Sequence, residues 1–279
     1  MPALRLIVAQ SEAQIVDAQR VRYQVYVNEE RLLEASACAP ERELDAQDFS
    51  SETRHLVAYL DAEPVGTVRL TRTSCERPYL DLESKFQLRG FSASSFSLAE
   101  VTRYCVLHRY RSTRVAAALF TGLLGESARL GVSHWLAAAN MQTDCTEDAA
   151  IAHQLIQSRG LHTDHFRADP RPLETAPPRA QRPLYTSEQR NRAARGDLSN
   201  LELPRTLSLF ATRLGARYIG PPLYDPYFNI FALPLVAVLT LSAETGNQVV
   251  GARTRHVESR LGSTDIAERG TAPPTQAFP

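Results

Sequence analysis

An amphipathic helical pattern, followed directly by a continuous apolar run, restricts the fold classes that this sequence can adopt. Small and apolar residues recur at helical spacing between Thr113 and Leu130. They are Val115, Ala118, Leu119, Gly122, Leu123 and Ala128. Gly131 provides the stop signal, and the apolar run 132–139 is typical of a strand covered on both faces. A helix followed by a doubly covered strand predicts an α/β fold.

The rest of the chain supplies further elements of a mixed sheet. Ser11 is a candidate N-cap for a helix that ends near Glu29, and Asp61-Ala62-Glu63-Pro64 joins two strands in an antiparallel hairpin. The predicted strands are 4–9, 55–60, 65–71, 96–107, 132–139, 216–219 and 230–241. The predicted helices are 11–29, 113–130, 147–158 and 201–214. This order predicts a mixed central sheet with helices on both faces.

Composition sets the domain organisation. The chain has 279 residues, 43% of them hydrophobic, so residues 1–241 can form one domain with a sizeable core. Within it, residues 161–200 are rich in Pro and Arg and predict an irregular excursion or lid. Residues 242–279 are polar and charged, and predict a disordered tail.

Several function classes do not fit the composition. Lys+Arg and Asp+Glu are both 31, so the basic excess of a nucleic-acid binder is missing. The four cysteines form no CxxC pair, which argues against a disulfide framework or a metal site and favours free thiols in the cytoplasm. The most apolar run, 228–241, is shorter than the ~20 residues of a transmembrane helix, and no such segment is expected.

A group of charged residues provides the candidate catalytic and acceptor-binding side chains. Asp45 and Asp48 lie in one polar loop, Arg69 ends a strand, and Glu100 and Arg103 stand three apart in another strand. On a regular strand Glu100 and Arg103 face opposite sides, so both reach one cleft only if a bulge intervenes or if Arg103 curls around the edge of the sheet. An amino-acid acceptor needs an arginine for its carboxylate and carboxylates for its ammonium, one of them to help remove a proton. The alternative is a salt-bridge network that joins the loop to the sheet.

A group of basic residues surrounds the start of the predicted helix 113–130. Val106 and Leu107 end a strand, and Arg109, Arg111 and Arg114 follow. Arginines at a helix N-terminus suit a pantetheine phosphate or an acidic carrier protein. The alternative is an ordinary solvated helix start. Cys105, His108 and His134 are expected to be structural residues.

The ordered set of these motifs resembles a known group. Arg22 and Tyr26, the two spaced aspartates, the strand-ending Arg69, the aromatic Phe86 and Glu100-x-x-Arg103 resemble the acyl-homoserine-lactone synthase pattern. The segment 214–222, followed by Asp225 and Phe228, is similar to the end of N-acyl amino acid synthases, including the long-chain N-acyl tyrosine synthases.

The resemblance implies a GNAT fold and direct attack of an acceptor amine on an acyl carrier protein thioester. It implies that Glu100 is the carboxylate near the amine, and that Arg22 and Phe86 line or brace the cleft. The network around the acceptor is implied to consist of Asp45, Asp48, Arg69 and Arg103. No bound cofactor is expected beyond the donor, acyl-phosphopantetheine or acyl-CoA. Peripheral membrane contact is expected only through the lipid product.

Two departures from the family patterns refine the expected donor and product. The acetyl-CoA-binding signature is degraded to the segment 111–116, where an arginine replaces a glycine, and this favours a carrier protein as donor. The tryptophan expected after the first helix of lactone synthases is missing, since Trp135 is the only one. The expected product is an N-acyl amino acid, with tyrosine suggested by the relatives. Lactone synthesis from S-adenosylmethionine and a non-catalytic acyl-binding module remain as alternatives.

The resemblance also implies where the donor enters. Two parallel strands, 101–107 and 132–139, should splay apart, with free N–H groups at the splay for the thioester oxygen. The acyl chain would follow an apolar tunnel. Its expected lining is Phe86, Phe91, Phe96, Trp135, Leu136, Ala137 and Ala138.

Overall fold

The computed structural model describes residues 3–74, 80–91, 96–111, 113–172 and 178–239. The tail expected over 242–279 lies outside these residues. The strands are β1 (Leu4–Val8), β2 (Thr53–Leu60), β3 (Glu63–Arg72), β4 (Phe86–Arg89), β5 (Leu98–Val106), β6 (His134–Asn140), β7 (Arg167–Pro170), β8 (Arg217–Tyr218), β9 (Leu223–Asp225) and β10 (Ile230–Val238). The α-helices are α1 (Glu12–Tyr23), α2 (Leu82–Lys85), α3 (Arg114–Arg129), α4 (Thr146–Ser158), α5 (Ser187–Ala194) and α6 (Arg205–Leu214).

The main sheet runs in the order β1-β2-β3-β5-β6-β10-β8, and β9 also pairs with β10. In the described part of the chain its neighbours are antiparallel except β5 and β6, which are parallel. β4 and β7 form a separate antiparallel ladder. The mixed central sheet predicted from the sequence is confirmed.

Helices cover both faces of this sheet, because consecutive strand residues point to opposite sides. In β2, Val57 belongs to a cluster with Ala18 of α1, whereas the adjacent Leu56 packs toward α3. α3 comes so close to β3 that a Cβ atom on Gly66 would lie 2.9 Å from Leu119 Cδ1. A helix on each face agrees with the GNAT fold implied by the resemblance, and the α/β class with a mixed central sheet is confirmed.

A second apolar layer lies beside the first core. Its members come from α2, the β4–β7 ladder and the middle of the main sheet. They are Leu80, Leu82, Phe86, Leu136, Ala168, Ile219 and Val236, each at most 3% exposed. This second apolar cluster holds the ladder against the sheet through burial of apolar surface.

Most predicted helix ends agree with the structure. Ser11 caps α1, and Gly131, Gly160 and Gly215 have positive φ angles just past the ends of α3, α4 and α6. Glycine adopts this left-handed backbone without the steric cost of a Cβ atom. The predicted first helix differs near its end, because residues Gln24–Glu29 form a π-helical turn.

The segment 161–200 is more regular than its composition indicates. It contains β7 and α5, and α5 begins with a capping box between Thr186 and Gln189. Asp148 of α4 accepts hydrogen bonds from Leu184 N at 2.6 Å and from Arg190 Nε at 2.7 Å. Local periodicity did not reveal these elements, because the segment is held by long-range contacts to α4.

Among the described residues, the helices are all too short or too polar to cross a lipid bilayer.

Candidate active site

β3 and β5 present four polar side chains on one face of the sheet. Thr71 is the register partner of Glu100, and Arg69 is the partner of Thr102. Register partners of an antiparallel pair lie on the same face. Arg69 Nε donates a hydrogen bond of 2.9 Å to Thr102 Oγ1. Arg69 and Glu100 therefore approach the same region from neighbouring strands, as the sequence predicted.

A bulge in β5 brings Arg103 to this face as well. The β3–β5 register shifts so that Thr67 pairs with Cys105 and Arg69 with Thr102, which leaves β5 with one extra residue. Arg103 adopts φ 56° within this interval. Of the two ways in which Glu100 and Arg103 could reach one cleft, the structure has the bulge.

Asp48 anchors a fully buried part of the network. Arg22 donates to both Asp48 carboxylate oxygens, at 2.8 and 2.6 Å, and its Nε lies 2.5 Å from Glu43 Oε2. Gln19 donates to the same aspartate at 2.9 Å. Although burial opposes ionisation, the hydrogen bond and charge of Arg22 hold the pKa of Asp48 well below its usual range. The side chains of Arg22 and Asp48 have no solvent exposure, so their contacts brace the loop against α1.

Asp45 connects the two other arginines at a more open edge. Its Oδ1 lies 2.9 Å from Arg69 Nη1, and its Oδ2 accepts a hydrogen bond from Arg103 Nη2. Arg103 Nε also donates to Glu43 Oε1 at 3.2 Å. Burial opposes ionisation of Asp45, but the charges of Arg69 and Arg103 lower its pKa. Arg103 and Asp45 keep 13% and 14% side-chain exposure, so this edge is accessible from solvent.

Glu100 stands apart from these ion pairs. Its Oε2 accepts a hydrogen bond of 2.8 Å from the backbone N–H of Asp81, and the residue is 4% exposed. Burial, followed by the negative charge of Asp81, raises the pKa of Glu100 to about 7. A carboxyl group with this pKa can accept a proton near neutral pH and release it again.

The parallel strands separate at Glu100. The β5–β6 register consists of Leu98 with His134, Ala99 with Trp135 and Glu100 with Leu136, and within the described residues 101–106 and 137–140 no pairing continues. We refer to the unpaired interval between β5 and β6 beyond this point as the β5–β6 gap. Leu107 N bonds Val65 O of β3, so by alternation the N–H of Val106 points toward the gap.

The basic residues at the start of α3 are largely ion-paired. Arg109 contacts Glu63, and Arg111 Nη1 lies 2.5 Å from Glu30 Oε1. Thr113 caps α3 by accepting a hydrogen bond from Val115 N. Arg111 Nε also donates to Val106 O at 3.0 Å, which ties the helix start to the edge of the gap.

Two of the four aromatic residues predicted for the acyl tunnel, Phe86 and Trp135, lie in different cores. Phe86 is fully buried in the second apolar cluster, which also contains Leu136, the register partner of Glu100. Trp135 packs against Phe120 of α3, and its Nε1 donates to Ser127 at 2.8 Å. Because Trp135 and Leu136 are consecutive in β6, they point to opposite faces. The tunnel lining expected from sequence is therefore divided between two layers, and Trp135 lies on the face away from Phe86.

Burial also explains the inert side chains of this region. Cys105 is 1% exposed, and burial raises the pKa of its thiol to about 12. At neutral pH the thiol stays protonated, which agrees with the structural role predicted for it.

Three residues of the site were not among the predicted ones. Glu43 pairs with Arg22 and Arg103, the backbone of Asp81 bonds Glu100, and Tyr227 Oη donates to Glu43 Oε1 at 2.8 Å. Glu43 stands two residues before Asp45, so its charge was a readable signal. Asp81 and Tyr227 reach the site only through tertiary structure.

The chain is similar in sequence to a known family. Residues 17–143 match the model of a family described as N-acyl amino acid synthase FeeM. The match covers just under half of the chain and contains the loop carboxylates, Arg69, Glu100 and Arg103. It confirms the predicted resemblance to N-acyl amino acid synthases. The chain is an acyltransferase of the N-acyltransferase type.

The remaining comparisons concern whole sequences and solved structures. No curated protein sequence matches the chain at a significant level. FeeM, an N-acyl amino acid synthase from uncultured soil microbes, is 13% identical over 85% of this chain and 92% of its own, with a TM-score of 0.47. The CoA-dependent acyl-homoserine lactone synthase MesI is 16% identical over 85% and 88%, with a TM-score of 0.42. An aminoglycoside 6'-N-acetyltransferase complexed with coenzyme A is 11% identical over 85% and 96%, with a TM-score of 0.44.

Proposed function

We propose that this chain transfers a long-chain fatty acyl group from an acyl carrier protein thioester to the amine of an amino acid, giving an N-acyl amino acid. One observation carries the proposal. Glu100 has a pKa near 7 and stands at the residue pair where β5 and β6 separate. A proton acceptor beside a gap between strands is what aminolysis of a thioester requires.

In the proposed reaction, the acceptor nitrogen attacks the thioester carbonyl and a C–N bond forms. Glu100 accepts a proton from that nitrogen, directly or through water. The Val106 N–H, which points toward the gap, stabilises the negative charge that develops on the carbonyl oxygen, and such a donor contributes about 3 kcal/mol. The C–S bond then breaks, and the pantetheine sulfur leaves as a thiol with the proton that Glu100 returns.

The ionic residues take two proposed roles. Arg103 and Asp45, at the more exposed edge, face the acceptor. Arg22, Asp48 and Arg69 are buried and hold that edge in place, since paired charges in a low-dielectric interior keep a fixed geometry.

The donor site is proposed on the other side of Glu100. The second apolar cluster adjoins Glu100 through Leu136 and is suited to an acyl chain, because each buried CH₂ contributes about 0.8 kcal/mol. A carrier protein is favoured over coenzyme A because Arg114 replaces the glycine that would let the backbone approach a pyrophosphate. The donor is proposed to enter beside the end of β5 and the turn before α3, where the residues are Val106, Leu107, Arg109 and Arg111.

Residues 1–241 are proposed to form one acyltransferase unit, because β10 and β8 near its C-terminal end complete the sheet that β1 begins. A cytoplasmic location is also proposed. Cys38, Cys105 and Cys145 are free thiols, the state that a reducing cytosol maintains.

The test is a reconstituted reaction. Purified protein is incubated with dodecanoyl–acyl carrier protein and, in separate reactions, each of the twenty amino acids, and products are identified by mass spectrometry. We expect an amide whose mass equals the fatty acid plus one amino acid less water. Parallel reactions with dodecanoyl-CoA test the donor, and reactions with S-adenosylmethionine test lactone formation. Absence of any amide with every amino acid, or a lactone as the main product, would overturn the proposal.

A further inference from the structure

A turn from the C-terminal half of the chain lies across the open end of the β5–β6 gap. Residues 226–229 connect β9 to β10, and Ile230 pairs with Asp225 at the base of this turn. Ala232 of β10 pairs with Asn140, the last residue of β6. The turn therefore extends beyond the C-terminal end of β6, past the unpaired part of that strand.

The turn contacts residues on the far side of the gap. The Phe228 ring lies 4.9 Å from the ring of Tyr26, and Arg103 Cζ lies 5.2 Å from the Phe228 ring and 5.5 Å from the Tyr227 ring. Tyr227 Oη donates to Glu43 Oε1 at 2.8 Å. An element that begins beside β6 thus packs on the arginine of β5, through the attraction between a guanidinium and an aromatic face.

Polar contacts hold the turn in this position. Tyr227 N donates to Asp225 Oδ1 at 2.9 Å, and Lys85 Nζ lies 2.5 Å from Asp225 Oδ2. Asp225 is 4% exposed, so its carboxylate is shielded from solvent, whereas the Lys85 side chain keeps 30% exposure. Burial and the charge of Glu43 raise the pKa of Tyr227, and its hydroxyl remains a donor at neutral pH.

The Tyr227 hydroxyl contacts the buried ionic network, whereas part of the residue is exposed to solvent. Its residue is 41% exposed, whereas Glu43, which its hydroxyl contacts, is fully buried. The exposed ring lies against Arg103, whose side chain and that of Asp45 keep 13% and 14% exposure. The ring fixes the guanidinium, and the hydroxyl fixes the carboxylate that Arg103 also contacts.

We propose that Tyr227 is a specificity-determining residue, which forms the outer wall of the acceptor entrance and holds Arg103 and Glu43 in their binding geometry. The inference rests on the proposed function and adds to it a residue outside the segment 17–143. A residue in this position affects binding of the amine acceptor and leaves binding of the acyl donor unchanged.

The test is a kinetic comparison of Tyr227→Phe and Tyr227→Leu with Tyr224→Phe. Tyr224 is in the same hairpin and its hydroxyl contacts only Asn229, at 3.5 Å, among the described residues. The acceptor is the amino acid that reacts best in the twenty-amino-acid panel, and the donor is dodecanoyl–acyl carrier protein. Each KM is measured with the other substrate saturating, and thermal unfolding confirms that every variant is folded.

We expect the acceptor KM to rise about threefold in Tyr227→Phe and at least ~10-fold in Tyr227→Leu, with donor KM and kcat within about twofold of wild type. Tyr224→Phe should match wild type. The inference is wrong if the folded Tyr227 variants keep the wild-type acceptor KM, or if donor KM rises as much. Tyr227→Phe keeps the ring and tests the inference even if Tyr227→Leu does not fold. A wild-type enzyme that acylates no amino acid refutes the proposed function instead.

Discussion

The backbone N–H of Asp81 donates a hydrogen bond of 2.8 Å to the carboxylate of Glu100, at the point where two parallel strands separate. This contact connects α2 and the second apolar cluster to the proposed reaction centre. It stabilises the charged form of Glu100, yet burial and the Asp81 charge outweigh it and keep the pKa of Glu100 near 7. The proposed chemistry and the pH dependence of stability both depend on this balance.

Replacement of Glu100 by Gln should abolish most of the activity without unfolding the protein. Gln has nearly the same volume but cannot accept the amine proton, so kcat should fall by at least ~100-fold. In the wild type, kcat/KM should rise with pH and level off above about pH 7, as Glu100 loses its proton. Steady-state rates of amide formation between pH 5.5 and 8.5 check both points. Near-normal turnover in the variant would remove Glu100 from the mechanism.

The same carboxyl group should make the wild type less stable as pH rises. A folded-state pKa of about 7, above the ordinary value of 4.5, means that the folded state binds the proton more tightly. The resulting stabilisation is complete below about pH 4.5 and is lost as pH rises through 7. Relative to Glu100→Gln, the wild-type free energy of unfolding should fall by on the order of 3 kcal/mol across this window. Urea unfolding of both proteins at pH 4.5 and 8 measures the difference, and parallel curves would contradict it.

Replacement of Arg22 by Ala should be strongly destabilising. Arg22 is fully buried between Asp48 and Glu43, and its removal takes the nearest cation away from two buried carboxylates, whose remaining arginine contacts are 3.2 Å long. The expected cost is about 3–5 kcal/mol. Arg20 in the same helix is the matched control, since its side chain is 60% exposed and its pair with Asp17 spans 3.6 Å. Arg20→Ala should change stability by less than about 0.5 kcal/mol, and similar values for the two variants would disprove the bracing role.

Two substitutions at Arg103 separate the effect of its backbone conformation on stability from the effect of its charge. Both Arg103→Gly and Arg103→Ala remove the guanidinium, but only glycine adopts φ 56° without a steric cost. The glycine variant should therefore be about 1 kcal/mol more stable than the alanine variant, although alanine is the better strand residue. Chemical denaturation of the two proteins tests this order. If the alanine variant is the more stable one, the left-handed backbone at residue 103 does not constrain β5.

Asp148 should control the attachment of the segment that follows β7. Its carboxylate has no exposure and accepts hydrogen bonds from Leu184 N and Arg190 Nε. Asp148→Ala should detach residues 178–200 locally and raise their rate of cleavage by trypsin at least ~10-fold. Glu147→Ala is the control, because Glu147 is 73% exposed and lies 3.7 Å from the same arginine. Equal cleavage rates in the two variants would show that the segment is held by other contacts.

Most of the fold could be predicted because its pattern is local. The apolar stripe of α3, the turn between β2 and β3, and the glycines that end helices each act within a few residues. The residue types of the ionic network could also be predicted, since buried arginines and carboxylates need each other. The segment 161–200 was misjudged because its strand and helix depend on partners in β4 and α4.

The sequence by itself determined that Glu100, Arg69 and Arg103 occur on strands of one mixed sheet, because the strand pattern and the charge of a side chain are local properties of the sequence. Only the tertiary structure decided that Arg103 joins them through a bulge, that Trp135 faces the opposite core, and that Tyr227 reaches Glu43. Register, bulges and contacts between distant segments depend on how whole elements pack together. That packing is set by the summed burial of the chain and leaves no signature at single positions.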